Sequence, residues 1–460
     1  MCDLNIDHGV SMYEMYELLA FEIQSCQRMM AEAMLRKAPN LLRRDALAVD
    51  MHVRNLLRLV GTGTVRGVYQ GLAALVTAEA QEETGLPVER RKKITFDTLF
   101  GSIEVESPYL WDRVTKESAR PVKKELGLRG RMRTPALERA LTDFGAEQSG
   151  ARASSRFEEH YGFKVERTAV LRVVHKHAQR AEGLVAERLE HSKGDFDTPV
   201  AERPGVDVIL AEMDGSELRT GILVPLEVHE GEAVPTTPIR KLPRRRREEN
   251  WRDVRLGLVA PMDEEEPTYV ARLGPYDDVV ELMVGAACLR GLSRRTMTVA
   301  VGDGGNGLME AMERGFEPIQ YILDRPHCVS HICDTANEMG LKGEERDGQV
   351  DCWMDTMETG NIEELLDELA GFQEDWLGKE RVGQLEKHLK RFQHCVHYQA
   401  YRDLGYPVGS GEIESGHRSV IQPRMKLPGT WWHPANVNPM LALRTVRANG
   451  WWDDLWRMAS

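Results

Sequence analysis

Residues 206–218 read VDVILAEMDGSEL. An apolar, partly β-branched run ends here in Asp214 and a Gly-Ser turn signal, the outline of a buried strand. A second stretch, 297–315, reads MTVAVGDGGNGLMEAMERG: a strand, a Gly-rich turn and a helix, with Asp303 at the strand end. Working outward, VRLGLVAP (254–261) and TYVARLG (268–274) predict two more strands, and YDDVVELMVGAACLRGL (276–292) predicts a helix. PIQYILDRPHCVSHICDTANEMG (318–340) reads as a strand running into a helix. Three strands, helix, strand, helix, strand, helix predicts an α/β core, one mixed five-stranded sheet with flanking helices.

Three carboxylates stand at element ends in this pattern. They are Asp214, Asp303, and Glu414 in GSGEIES (409–415) at a helix start. An aspartate ending a buried strand is costly unless paired or bound to metal. Two such strands side by side would set like charges together. A hard divalent cation resolves that conflict, and Mg²⁺ takes a few carboxylates while keeping several waters. Two ions about 4 Å apart activate a water or a 3′-hydroxyl and stabilise the leaving oxygen, which is phosphodiester chemistry. Taken singly, Asp303-Gly is also a turn dipeptide, and Glu414 also suits the first turn of a helix. Gly304-Gly305-Asn306-Gly307 lacks the Lys-Ser/Thr ending of a nucleotide-binding loop.

Before the core, residues 1–90 predict a helical domain, and 91–133 a β-hairpin with a basic loop, the hairpin alternating at Ile94, Phe96, Ile103 and Val105. Residues 134–195 predict a short, a shorter and a long helix, the outline of a helix-turn-helix. Arg167, Thr168, Arg172, His175 and Lys176 fall at or near the start of the long helix, where DNA contacts are made. An ordinary three-helix packing unit gives the same pattern. The core is expected to run from 200 to 333 and resume from 386 to 460, around an acidic helical insertion at 334–385. Within these, NIEELLDELAGF predicts a helix and 386–403 one long helix.

The 460-residue chain has a formal charge of −13. Its acidity is local: Asp334 to Glu380 holds 15 Asp/Glu against 3 Lys/Arg. Basic stretches lie at Arg90–Lys93, at Arg240, Lys241 and Arg244–Arg247, and after Glu414. Local patches decide where phosphate binds. The Arg244–Arg247 run is expected in a loop between two strands. The seven cysteines form no CxxC pair, which argues against a zinc ribbon or disulfide framework. No apolar run approaches the roughly 18 residues of a membrane span, and MCDLNIDHGV lacks a signal pattern. The expectation is a cytoplasmic protein with no membrane partner.

The segments MDGS, NWRDVRLGLV, VGDGGNGL, ILDRPHCVSHI, GSGEIESGHRSVIQPRMK and WWHPANVNPMLALRTVRANGWWDDLW together resemble the bacterial insertion-sequence DDE transposases of the ISKra group. The resemblance runs from about Met213 to the C-terminus and is weaker in the three-helix region. It implies an RNase H-like core, Asp214, Asp303 and Glu414 as catalytic metal ligands, two Mg²⁺ with Mn²⁺ as substitute, and DNA ends as substrate. The family pattern selects Glu414 over Glu412. Asp324-Arg-Pro-His327 matches its Asp/Cys-x-x-His signature, placing Asp324 and His327 near the site. An Asp-His hydrogen bond of purely structural use, or a poorly spaced zinc set of Cys328, His331 and Cys333, reads from the same residues. Arg418, Arg424 and Lys426 match the family's basic positions and would hold phosphates, although Pro423 is expected to break the helix there. Trp431 and Trp432 suit either base stacking or core packing. Relatives often carry a Cys pair after the hairpin, and this chain has none between Cys26 and Cys288.

The expected function is a transposase acting on terminal inverted repeats and target DNA. It would be at least a dimer, because two DNA ends must be joined, and would associate with the nucleoid. A domesticated DNA-binding regulator and an RNase H-like nuclease are the alternatives.

Overall fold

The computed structural model describes residues 17–197, 205–225, 245–371 and 377–457. Arg240, Lys241 and Arg244 of the basic run lie outside them. The chain divides into two compact units, Met1–Thr134 with Glu159–Phe163, and Pro135–Glu158 with Lys164–Ser460. Among the described residues no helix is long and apolar enough to cross a membrane.

The first unit carries helices α1 (Ala20–Lys37), α2 (Pro39–Arg44) and α3 (Val49–Thr84), strands β1 (Val88–Thr98), β2 (Gly101–Trp111) and β3 (Ser118–Ala119), and α4 (Pro121–Glu125). β1 and β2 pair antiparallel, with Ile94 opposite Val105 and Phe96 opposite Ile103. The alternation puts these four on one face, where they meet Ala73 of α3 and Val122 of α4. Helix α3 and the hairpin, expected in separate segments divided at residue 90, thus share one core.

The second unit is mixed α/β. Its helices α5 (Pro135–Glu147), α6 (Gly150–Tyr161, the last turn of which falls in the first unit) and α7 (Arg167–Lys193) precede the sheet. Strands β4 (Val208–Pro225), β5 (Arg245–Pro261), β6 (Thr268–Leu273), β7 (Met297–Gly302) and β8 (Ile319–Leu323) form one five-stranded sheet in the order β6-β5-β4-β7-β8. β5 is antiparallel to β4 and β6, while β7 and β8 run parallel to β4. This mixed sheet is compatible with the expected core. Between the strands lie α8 (Tyr276–Leu289) and α9 (Leu308–Gly315). Met283 of α8 packs where a Cβ on Gly257 would stand, so the glycine in β5 admits the helix closely. α7 buries Val170, Val173, Val174 and Ala178, and it packs against α5, α8 and a C-terminal helix. The three-helix group is therefore part of this unit's packing.

The basic run departs from expectation. Arg245–Arg247 are strand, because the β4–β5 ladder continues to Pro225 opposite Arg245. After β8 come α10 (Arg325–Glu338), α11 (Gly343–Glu358), α12 (Ile362–Ala370) and α13 (Lys379–Arg391). Trp353, Met357, Leu365, Leu369, Val382 and Leu389 are buried in this acidic stretch, and Trp353 Nε1 donates to Glu368 at 2.8 Å. The long helix expected over 386–403 is interrupted. α13 stops at Arg391, a 3-10 turn covers Gln393–Cys395, and α14 is Tyr398–Asp403. The break buries Phe392, Val396 and Tyr398 together, which a straight helix would spread round its surface.

Pro423 does not break its helix either. α15 (Gly411–Gly416) continues through a π-turn at His417–Ile421 into α16 (Gln422–Met425). The freed carbonyls are met from α17 (Val437–Ala448), where buried Arg444 donates to Ser419 at 2.6 Å and to Val420 at 2.8 Å. α18 (Trp452–Arg457) closes the described chain.

Candidate active site

Successive residues of β4 alternate faces, so Glu212 and Asp214 share one face and Met213 is buried on the other. The parallel register runs to Glu212 opposite Val301. Asp214 and Asp303 each follow two residues later on neighbouring strands, Asp303 just past the end of β7. The strand end and turn expected at Asp214 are not found, because β4 stays paired with β5 as far as Pro225. Gly215 N–H donates to Asp214 Oδ1 at 2.6 Å, and Gly305 N–H to Asp303 Oδ1 at 2.9 Å. Gly304 has φ +77°, and an added Cβ would meet Leu323, His388 and Phe392 at about 3 Å, so glycine suits the turn twice over.

Burial raises the proton affinity of Asp214. The Asp303 charge adds to that, and His417 opposes it. His417 is itself buried, and burial holds its pKa below the usual range against the pull of Asp214. The imidazole sits 3.5 Å from Asp214 Oδ2 and 3.1 Å from the Asp214 carbonyl. It ties the helix after GSG to the first aspartate.

A second tie comes from Asp324, at the end of β8 and only 1 % exposed. Its Oδ2 accepts from Ser410 Oγ at 2.7 Å and lies 2.5 Å from His327 Nδ1, while Oδ1 has no partner. Arg325 N–H donates to the Val408 carbonyl at 2.8 Å. Asp324 therefore stands behind His327 as a support, and only the half-exposed His327 faces the aspartates. The Asp324 hydrogen bond raises the His327 pKa against its partial burial, with Asp303 and Asp214 adding to it.

Glu414 is exposed on α15. Its N–H donates to the Ser410 carbonyl. Ser410 is one turn before it and His417 three residues after, so all three share a face. Glu414 thus lies on the side that meets Asp324 and Asp214, and its nearest cation is Arg418 at 3.7 Å. Glu412 turns to a different surface, beside Leu210, Ala260 and Tyr406.

Glu212 was not singled out from the sequence. It is 1 % exposed, and Oε2 accepts the N–H of Ile413 at 2.9 Å, clamping the first turn of α15. Burial pushes its pKa up to about 8, with Glu412, Asp324 and Glu414 reinforcing the shift. The available signal was spacing: two acids two apart in an apolar strand occupy one face.

Among the described residues no three His, Cys, Asp or Glu side chains converge closely enough to hold a metal ion. The two aspartates alone fit a hard cation: both are oxygen donors on adjacent strands, Asp214 within β4 and Asp303 just past β7, and their mutual charge works against ionisation of Asp214. The zinc alternative does not assemble. Cys328 is buried, and burial pushes its thiol up to about 12.

The expected DNA contacts divide. Arg167, Thr168 and Arg172 are exposed on the first turns of α7, and Arg418 and Lys426 are exposed after Glu414. Lys176 is exposed along its stem, but its amine meets Glu138 Oε2 at 2.6 Å, an oxygen also taken by His177 Nε2 at 2.8 Å. Partial burial works against ionisation of Glu138. The bonds from His177 and Lys176 outweigh it and hold the carboxyl below its usual pKa. Arg424 is a correction. It is buried, donates to the Gly145 carbonyl at 3.0 Å and lies 4.6 Å from the Trp432 ring. Burial lowers its pKa to about 10, and the Nε bond braces it against the helix that carries Gly145. Trp432 is a second correction. Its Nε1 donates to Met425, and its backbone bridges β4 through Arg219 and Gly221. Trp431 stays half-exposed with Arg247 5.3 Å over its ring. Arg167 and Trp431 line one open cleft with Gly150, Leu171, Arg424 and Trp432.

No protein-family model matches the chain. It is similar to a curated protein of Streptococcus gallolyticus described as a UPF0236 protein in the vanSb 3′ region, with 27 % identity over 169 residues. That match spans 36 % of this chain and 36 % of the relative's own length.

Proposed function

We propose that the chain is a DDE-type transposase with an RNase H-like core, which cuts DNA at insertion-sequence ends and joins the 3′-hydroxyl to target DNA. The observation that carries this reading is the pair Asp214 and Asp303 on adjacent parallel strands, with the Glu414 helix keyed to Asp214 through His417 and to Asp324 through Ser410. Asp214, Asp303 and Glu414 are the residues that would hold divalent cations, two Mg²⁺ or Mn²⁺ in their place. The bound metal supplies activation of the attacking oxygen and charge neutralisation at the leaving one. His327, whose proton affinity Asp324 and both aspartates raise, faces a non-bridging phosphate oxygen. Arg418 and Lys426 position the backbone, while Arg167, Thr168 and Arg172 meet the terminal repeats. Joining two ends requires at least a homodimer, and the enzyme works at the nucleoid in the cytoplasm.

The test is nicking of a duplex carrying the element end, with Mg²⁺, with EDTA, and with Asp214→Asn, Asp303→Asn and Glu414→Gln. Mg²⁺-dependent 3′-hydroxyl formation should fall in each variant by more than the roughly 100-fold that loss of an outer-shell partner costs. Retained cleavage by Asp303→Asn removes the assignment. The Glu414–Arg418 contact favours one second reading, a regulator that binds DNA without cutting it. Tight binding to DNA ends with no nicking in either metal would establish that reading instead.

A further inference from the structure

Asp303 opens a turn with little stiffness of its own. Residues 303–307 read Asp-Gly-Gly-Asn-Gly, with Gly304 at φ +77° and Gly307 at φ +88°. Glycines permit that conformation but are costly to order. A carboxylate that is to meet a cation beside Asp214 has to be held in place by its surroundings. Two helices supply the hold. From α8, the Tyr276 hydroxyl stands 2.9 Å from where a Cβ on Gly305 would lie. From α13, the rings of His388 and Phe392 each stand 3.0 Å from where a Cβ on Gly304 would lie. Arg391, three residues after His388 and on the same side of α13, donates Nη1 to Asn306 Oδ1 at 3.1 Å. Its Nη2 reaches both oxygens of Glu310, at 2.7 and 2.9 Å. Arg391 therefore ties the turn to α9, the helix that follows it.

α13 is itself seated on the acidic segment. Val382, Leu385 and Leu389 are buried, and the helix packs against α10 and α12. Arg381 Nη2 lies 3.4 Å from Asp334 Oδ2, and the His388 ring is 4.9 Å from that of His331 on α10. The acidic helices thus reach Asp303 through packed side chains, by way of α13. Their charge, 15 Asp/Glu against 3 Lys/Arg from Asp334 to Glu380, disfavours contact with DNA phosphates. A role inside the protein suits that charge.

We propose that the acidic helical segment acts as a clamp on the site, with His388 and Arg391 of α13 as positioning residues that hold the Asp303 turn beside Asp214. The proposal rests on the reading of Asp214 and Asp303 as metal ligands. Both positioning residues act through the turn rather than on the cation or the DNA. His388 fills the space under Gly304, and Arg391 fixes Asn306 against Glu310.

The experiment measures Mn²⁺ binding to the full chain without DNA, from the electron paramagnetic resonance signal of the free ion. The native chain should bind, and Asp303→Asn should bind far more weakly, which fixes the ligand. Arg391→Ala and His388→Ala should each weaken Mn²⁺ binding by about 10- to 100-fold, the effect of losing a partner that orients a ligand, with an unchanged circular-dichroism spectrum. Arg391→Lys keeps the charge without the fork and should fall between Arg391→Ala and the native chain. Glu368→Ala controls for stability alone. It removes the acceptor of the buried Trp353 N–H within the acidic segment, so the unfolding midpoint should fall while Mn²⁺ affinity stays native. Native affinity in Arg391→Ala or His388→Ala, where Asp303→Asn has lost it, overturns the clamp and leaves the ligand assignment standing. A loss in Glu368→Ala as large as in Arg391→Ala overturns the clamp too. A native chain that binds no Mn²⁺, or undiminished binding by Asp303→Asn, overturns the clamp and the ligand assignment together.

Discussion

At the scale of single residues, position in a strand decides what a carboxylate does. Asp214 and Glu212 share a face of β4, yet Asp214 opens toward Asp303 while Glu212 is sealed beneath α15 and holds its first turn through Ile413. Replacing Glu212 by Ala should therefore leave a buried N–H without an acceptor and cost about 1–3 kcal/mol. Glu212→Gln keeps an acceptor oxygen at the same reach and should lose less. Urea denaturation of the two variants measures the difference, and equal losses would show that the Ile413 bond contributes nothing. Asp214 and Asp303 were readable from sequence because a charged residue closing an apolar run is anomalous by itself. Glu212 was not, since its meaning depends on the helix lying over it. Arg424 and Trp432 misled for the complementary reason: a basic residue and an aromatic in a basic tail look like DNA contacts until their burial is known.

At the scale of elements, hydrophobic periodicity was informative wherever a segment packs in regular register. The five strands of the second unit, α12, and the hairpin with Ile94, Phe96, Ile103 and Val105 on one face follow from it. It failed where local geometry answers a distant partner. The π-turn at His417–Ile421 lets the helix run on through Pro423, because Arg444, more than 20 residues away, supplies the missing donors. Arg444→Leu should leave the Ser419 and Val420 carbonyls unmet, at roughly 1–3 kcal/mol for each buried group. A thermal-unfolding midpoint unchanged from the native chain would refute that account. Likewise the basic run Arg245–Arg247 reads as a loop from its charge, and it is strand because β4 offers a pairing edge as far as Pro225.

At the scale of the whole molecule, the net charge of −13 misstates the surface that DNA would meet, because one segment carries most of the excess. On the proposed function, exposed Arg167 and Arg172 each neutralise a phosphate. Removing either should lower the salt slope of DNA binding by about one, as read from fluorescence anisotropy across an ionic-strength series. Arg424→Ala, by contrast, should act through stability, since this buried residue bonds Gly145 through Nε and lies against Trp432. The sequence by itself determined the order and type of the core elements, the acidic stretch, and the two aspartates that follow apolar runs, although β4 does not end at Asp214. Each of these is a local property: periodicity, composition, or a charge at the end of an apolar run. Only the tertiary structure decided that Glu412 and Glu414 look to different surfaces, that Asp324 lies behind His327, and that the three-helix group packs with the sheet. Those outcomes depend on which distant segments come to lie against each residue, and burial and pairing across such distances leave no periodic mark in the chain.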